Sequence, residues 1–312
     1  MNDKGNMLSC SFGSYIRFLS FMAILLIFDC CSSGFEPIDT DKRGESWSFQ
    51  LPGLIMHQSM AFKDGKALFV TPIEGKLTCH VYDLHNRIQQ AEVILPYEGY
   101  SIPHANVSCF GKNYYSDEDV FPTLYVSSWN NGRQAFVYNL DEDNNNIYKA
   151  SLVQVIDPSR VSESIIGGGY LDWVVDAKGG YLYSILYHLK DSSTIIEGNY
   201  THVTKFILPS YNYGIVHLTD ADVVDYYSLP VMTVFQDKCY HDGHIYVVAG
   251  MPDKTDLYPP RLFDIDLDKK TLKEDLIPLY GEPEGLCYYQ GSLWINMYGS
   301  ETVYNLDKLL DL

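Results

Sequence analysis

One short phrase recurs five times along this chain, at intervals of 46 to 68 residues. A polar residue is followed seven positions later by glycine, and then by a run rich in Leu, Ile, Val, Tyr and Trp. The copies are Gln58 with Gly65, His104 with Gly111, Gln236 with Gly243 and Glu284 with Gly291. A fifth, Asp172 with Gly180, carries one extra residue. Self-similarity at this spacing belongs to solenoids and propellers, in which each repeat buries its apolar faces only against its neighbours. Between the copies, segments alternate with period two and are rich in β-branched and aromatic residues. Gly, Asn, Asp and Pro turns separate them, and helix signals are nearly absent. The chain therefore reads as all-β.

Parsed into four-stranded units, the sequence leaves little over. The first unit runs from Gln58 to about Pro96, the second from His104 to about Pro158, and the third from near Tyr170 to Tyr227. The fourth runs from Thr233 to Tyr280, and the fifth begins at Glu284 with room for only three strands. Ser46–Gln50 reads as a strand without a partner of its own. It can supply the missing outer strand of the last unit and close the ring, which removes the open sheet edges of a linear array. The predicted fold is a single β-propeller of five blades over residues 46–312. A six-bladed count is the alternative, because the third unit is long and 159–169 is unassigned. Four of the seven cysteines lie in this region: Cys79, Cys109, Cys239 and Cys287. Cys239 and Cys287 sit four residues before the repeat glycine, where the first copy has Ala61, so they are expected as packing residues with free thiols. Trp47, Trp129, Trp173 and Trp294 are expected between blades, with Trp129 reaching towards the channel rim.

The first 31 residues have the pattern of an export signal. Lys4 and Arg17 precede an apolar run of eleven, Phe18–Phe28, shorter than the roughly 20 residues a spanning helix needs. Asp29-Cys30-Cys31-Ser32-Ser33-Gly34 follows, and residues 32–45 form a polar linker. This leader resembles a bacterial lipoprotein signal of the Bacteroides type. The resemblance implies lipidation at Cys30 or Cys31 and anchoring to the outer membrane of a cell envelope, facing the periplasm or the surface. A plain secretory signal and an uncleaved anchor are the alternatives. The net charge of −18, with no Lys/Arg cluster, disfavours a nucleic-acid partner, since it repels a phosphate backbone.

In a propeller the innermost strand of each blade lines a central channel. The first residue of the repeat opens each such strand, so Gln58, His104, Asp172, Gln236 and Glu284 are expected around one mouth of that channel. His57, Asn106, Tyr170, Asp237 and Glu282 flank them. Such a ring could bind a small polar or carbohydrate ligand or a partner protein. With carboxylates at Asp172 and Glu284 it could hold Ca2+ or another divalent cation through oxygen ligands, or perform acid–base chemistry. The sequence has no GxSxG, no HExxH and no phosphate-cradling loop. Gly167-Gly168-Gly169 reads as a bent connector.

The last copy, from Glu282-Pro-Glu-Gly to Ser292-Leu-Trp-Ile-Asn296, resembles the PDGL…G-x-LWV signature of NHL, YncE and SMP-30-type propellers. In the SMP-30 lactonases the acidic residue of that motif is a metal ligand, and here only Glu284 matches it. The first blade offers His57 and Gln58 where those enzymes place a glutamate, and Asn106 is the one asparagine in a comparable place. A slighter resemblance is to five-bladed glutaminyl cyclases, and five-bladed glycosidases place carboxylates at blade starts. The sequence thus predicts a lipid-anchored ligand-binding or protein-interaction module, with a hydrolase or lactonase, a cyclase or a glycosidase at the same ring as the competing class.

Overall fold

The computed structural model describes residues 47–54, 57–97, 99–101, 104–117, 119–127, 133–142, 147–188, 200–211, 214–230, 235–251 and 258–310. The leader with Cys30 and Cys31, the whole linker, and Trp129 lie outside the described residues.

Strand β1 (Ser48–Gln50) comes first. Blade 1 follows with β2 (Ser59–Lys63), β3 (Lys66–Ile73), β4 (Lys76–Asp83) and β5 (Ile88–Leu95). Blade 2 holds β6 (Ser108–Phe110), β7 (Leu124–Ser127), β8 (Ala135–Glu142) and β9 (Tyr148–Arg160), and a four-residue helix α1 (Glu163–Ile166) leads out of it. Blade 3 is built from β10 (Leu171–Asp176), β11 (Tyr181–His188), β12 (Tyr200–Ile207) and β14 (Val223–Pro230). Between its last two strands the chain leaves to form β13 (Gly214–Thr219), which pairs parallel to β9 at the edge of blade 2. Blade 4 contains β15 (Phe235–His241), β16 (His244–Ala249), β17 (Arg261–Asp266) and β18 (Thr271–Leu276). Blade 5 has β19 (Pro283–Tyr289), β20 (Ser292–Met297) and β21 (Thr302–Asn305), followed by a short helix α2 (Leu306–Leu310). Its fourth strand is β1, antiparallel to β21 with Phe49 opposite Val303. The fold is a five-bladed β-propeller, closed by its N-terminal strand.

The residues left open between blades 2 and 3 do not make a sixth blade. They extend β9 to Arg160 and form α1. Pro158 lies within β9, where it has no N–H to give the ladder. The pairing of β13 to β9 shifts register there, between His217 and Thr219, which is where a strand tolerates proline.

Apolar side chains from alternate strand positions collect in five clusters, one at each blade-to-blade interface. On β2 the alternation is direct: Met60 and Phe62 enter the cluster shared with blade 5, and Ala61 the one shared with blade 2. Burying each sheet on both faces follows from the period of two. All four described cysteines are free, with Cys79, Cys239 and Cys287 buried in these clusters. Trp173 is buried between blades 2 and 3 and donates its indole N–H to the Arg133 carbonyl at 2.8 Å.

The repeat glycine ends the inner strand. Gly65, Gly243 and Gly291 have φ of +80°, +85° and +85°, after Asp64, Asp242 and Gln290 at +46°, +41° and +49°. Two successive positive φ values make the two-residue turn whose twist matches a right-twisted hairpin. Gly180 closes a longer turn between β10 and β11, which accounts for the extra residue in the third copy. Gly111 is glycine for a different reason. A Cβ there would stand 2.5 Å from Cε2 of Tyr125 and 2.8 Å from Oγ1 of Thr123.

Candidate functional site

The inner strands β2, β6, β10, β15 and β19 contact one another in a ring around the channel. Seven residues of extended chain at ~3.3 Å each separate the two ends of the channel by ~20 Å. Hydrogen bonds between the openings of successive strands show that these converge at one end. Gln58 Nε2 lies 3.0 Å from His104 Nε2, joining blades 1 and 2. Lys238 Nζ donates to Asp172 Oδ2 at 2.6 Å, joining blades 4 and 3. Gln236 Nε2 donates to Glu282 Oε1 at 2.5 Å, joining blades 4 and 5. His104 and Asp172 are coupled through charge: burial pulls the His104 imidazole below its usual pKa, and the Asp172 carboxylate partly offsets this.

Lys238 is the residue that the sequence reading missed. It is fully buried, and it also donates to the Gln236 carbonyl at 2.8 Å. It lies within two residues of the repeat position Gln236, on a strand whose alternation a bulge interrupts.

Two β-bulges set the carboxyls of the bore. The pairing of β15 with β16 slips between Phe235 and Lys238, and that of β19 with β20 slips between Pro283 and Gly285. Each bulge inserts one extra residue, which re-aims side chains out of strict alternation. Asp237 lies in the first and Glu284 is the extra residue of the second. Asp237 is fully buried. Its Oδ2 accepts the amides of Met60 (3.1 Å) on blade 1 and Leu286 (2.8 Å) on blade 5, and its Oδ1 accepts the amide of Lys238 at 2.7 Å. It reaches from blade 4 past blade 5 to blade 1, so it crosses the bore. Burial pushes its carboxyl well up, while the three N–H donors and the Lys238 charge oppose that shift.

Glu284 is 5% exposed, and its Oε2 has no partner. Burial, then the charges of Glu282 and Asp237, hold its carboxyl well above the usual carboxylate range. Three further buried oxygens at the strand openings lack partners: Gln58 Oε1, Asn106 Oδ1 and Asp172 Oδ1. Each lies on a different blade from Glu284 and from each other.

His57 is placed apart from this ring. The His57 ring is fully buried and packs edge-on against Phe69, with centroids 4.9 Å apart. Burial, then the neighbouring His80, lowers its pKa to about 3, and Asn296 opposes this. His57 is thus a neutral histidine within the blade 1–blade 5 packing. Tyr170 is 47% exposed, immediately before β10.

Among the described residues no three His, Cys, Asp or Glu groups are arranged to hold a metal ion. An ammonium stands against Asp172 Oδ2 where a ligated cation would be.

At the opposite end, a cavity of about 320 Å³ is lined by the last residues of all five inner strands, including Cys109, Cys239 and Cys287. A wider groove of about 870 Å³ continues outward between blades 3 and 4 past Asp176, Lys178 and Tyr240. Asp237 and Lys238 lie between this cavity and the polar ring.

No known family profile matches the sequence, and no curated protein matches it. Solved structures do align with it. Hydrazine synthase of Kuenenia stuttgartiensis matches at 13% identity with a TM-score of 0.42, over 81% of this chain. The chain spans 65% of that protein's length. Glutaminyl cyclase of Myxococcus xanthus matches at 11% identity and a TM-score of 0.47, covering 83% of this chain and 92% of its own. A putative glucose dehydrogenase-type oxidoreductase from a Thermus species matches at 10% identity and 0.40, covering 82% and 98%. The fold assignment rests on the sheet topology above.

Proposed function

We propose that this chain is an exported, lipid-anchored β-propeller of a bacterial envelope that binds a small polar ligand through the ring where its inner strands open. The supporting observation is the set of unpartnered, buried oxygens at Gln58, Asn106, Asp172 and Glu284, one from each of four blades. A buried acceptor without a donor costs about 1–3 kcal/mol, so four at one channel end mark a place that a donor-bearing molecule would complete. The leader pattern at Cys30 and Cys31 supports export and anchoring.

The test is a thermal-shift screen of the mature protein against amines, amides, polyols and sugars. A ligand held at a hundredfold above its Kd adds about 2.7 kcal/mol of stability, a rise of several degrees. The Glu284→Gln variant should lose that response, and a screen without any response counts against the reading. Anchoring is checked separately by detergent phase partition. Replacing Cys30 or Cys31 with alanine should release the protein to the aqueous phase in one of the two cases.

A second reading, an acid–base enzyme at the same ring, is favoured by the two carboxyls Glu282 and Glu284. Burial and the charges of Glu282 and Asp237 raise the proton affinity of Glu284, and Glu282 accepts a hydrogen bond from Gln236. A carboxyl of raised proton affinity beside a second carboxyl is an arrangement that acid–base catalysis uses. Glu284→Gln would then abolish turnover and leave ligand affinity largely intact.

A further inference from the structure

The hydrogen-bonding inventory of the ring is one-sided. Where the inner strands open, the unpartnered buried atoms include Gln58 Oε1, Asn106 Oδ1, Asp172 Oδ1 and Glu284 Oε2. Several donors beside them are engaged within the ring. Lys238 Nζ serves Asp172 and the Gln236 carbonyl, Gln236 Nε2 serves Glu282, and Gln58 Nε2 faces His104. We infer that the ring takes a ligand with a protonated amine head, which brings donors to these oxygens and no acceptor of its own.

This rests on the ligand-binding reading of the ring and narrows it to one chemical class. An ammonium group offers three donors and no lone pair, which complements the acceptors Gln58 Oε1, Asn106 Oδ1 and Asp172 Oδ1 and, once its proton has left, the Glu284 carboxylate. A carboxylate or phosphate head would set oxygens against oxygens. A hydroxyl would bring its own lone pairs to the same crowded place. Charge points the same way. Asp172 and Glu282 stand at this end of the bore beside Glu284 and Asp237, whose carboxyls burial biases towards the neutral form, and Lys238 pairs with Asp172, in a chain of net charge −18.

The rim suits the body of such a molecule. Tyr280 and Tyr298 are 68% and 45% exposed; Tyr280 lies two residues before Glu282, and Tyr298 follows β20 at the end where β19 opens. The Tyr298 amide donates to the Glu282 carbonyl at 2.7 Å, which fixes that residue beside the ring. Exposed tyrosine faces attract both apolar carbon and cations. The ligand class is therefore an organic amine carrying an apolar or aromatic body.

Binding also has a proton consequence. Glu284 faces Glu282 on its own chain segment and Asp237 on β15. A cation placed against Oε2 favours the ionised form, so the carboxyl O–H releases its proton to solvent. Binding should then liberate up to about one proton per ligand.

The experiment uses calorimetry and thermal shift on the mature protein in amine-free buffers. The probes are phenethylamine, its neutral isostere 2-phenylethanol, and methyl glucoside. Phenethylamine should raise Tm and bind with proton release, read as a difference in apparent enthalpy between two buffers. The neutral isostere should do neither. Glu284→Gln should weaken the amine by about tenfold, the loss of one charge-assisted hydrogen bond. Should that variant not fold, Tyr280→Ala and Tyr298→Ala test the rim, and the wild-type buffer comparison tests the proton. Binding of methyl glucoside without the amine would overturn this inference and leave the ligand-binding reading standing. Silence from all three probes, together with no response in the wider screen, would remove both. An amine that binds with equal affinity to wild type and Glu284→Gln, and without proton release, would also overturn it.

Discussion

Lys238 and Asp172 face each other across the blade 3–blade 4 boundary with Nζ and Oδ2 2.6 Å apart, and neither side chain reaches solvent. A buried pair of this kind offsets a large desolvation cost only while both partners are present. Lys238→Met leaves an uncompensated buried carboxylate and is expected to cost about 3–5 kcal/mol. The double variant Lys238→Met/Asp172→Asn removes both charges and should recover most of that loss. Urea denaturation of the two variants checks the difference; equal losses would show that the pair is not what stabilises this end of the bore.

Asp237 is expected to act as a structural cross-brace. Its two oxygens satisfy the amides of Met60, Leu286 and Lys238 on three blades. Asp237→Ala orphans three buried N–H groups at about 1–3 kcal/mol each if none recovers a partner. A net loss of about 3 kcal/mol or more is expected. Hydrogen exchange should accelerate selectively at the Met60 and Leu286 amides, and uniform acceleration across the fold would contradict the brace.

Stability should fall towards alkaline pH, through Glu284. Its folded carboxyl is raised above the unfolded value, so its contribution is present while it keeps its proton. That contribution is lost as pH rises through the raised value. Asp237 acts in the same direction. Glu284→Gln, which cannot ionise, should therefore lose less stability than wild type between mildly acidic and mildly alkaline pH. Parallel denaturation curves for the two proteins across that range would refute the assignment.

The fold was largely legible because its determinants are local. Gly65, Gly243 and Gly291 sit at positive φ in hairpin turns, and a turn announces itself within two residues. The polar residue seven positions earlier opens an extended strand, so counting the phrase counted the blades. The pairing of β1 with β21 was legible from an arithmetic gap, three strands where four were needed. Other features depend on partners far away in sequence. Strand β13 pairs with β9, some 60 residues earlier in register (Gly214 with Gln154), and nothing near Gly214 signals that partner. The bulges that bring Asp237 and Glu284 into the bore break the alternation on which side-chain direction was read. His57, next to Gln58 just before β2, illustrates the limit: its ring packs against Phe69 while Gln58 reaches His104.

The repeat glycines divide into two kinds that substitution should separate. Gly65 needs a left-handed backbone, with φ of +80° and nothing within 4 Å of a Cβ. Asparagine visits that conformation readily, so Gly65→Asn should cost well under about 1 kcal/mol, and Gly65→Ala about 1 kcal/mol. Gly111 needs space, because Tyr125 and Thr123 close on it. There Asn and Ala should both be costly, at about 2 kcal/mol or more, from overpacking. Denaturation midpoints of the four variants test the distinction.

Acid stability should be governed in part by His57. Burial holds its folded pKa at about 3 against an ordinary 6.5. The neutral ring's contribution is complete above pH 6.5 and is lost as pH falls from there towards 3. At about 1.4 kcal/mol per unit, the limiting loss is roughly 5 kcal/mol. His57→Phe keeps an aromatic ring against Phe69 and removes the titration. Its stability should change less than that of wild type between pH 7 and pH 4, measured by urea denaturation at each pH. Because Glu284 acts in the opposite sense, the wild-type optimum should lie between the two slopes. The His57→Phe variant should shift that optimum towards acid, and Glu284→Gln should extend it towards alkali.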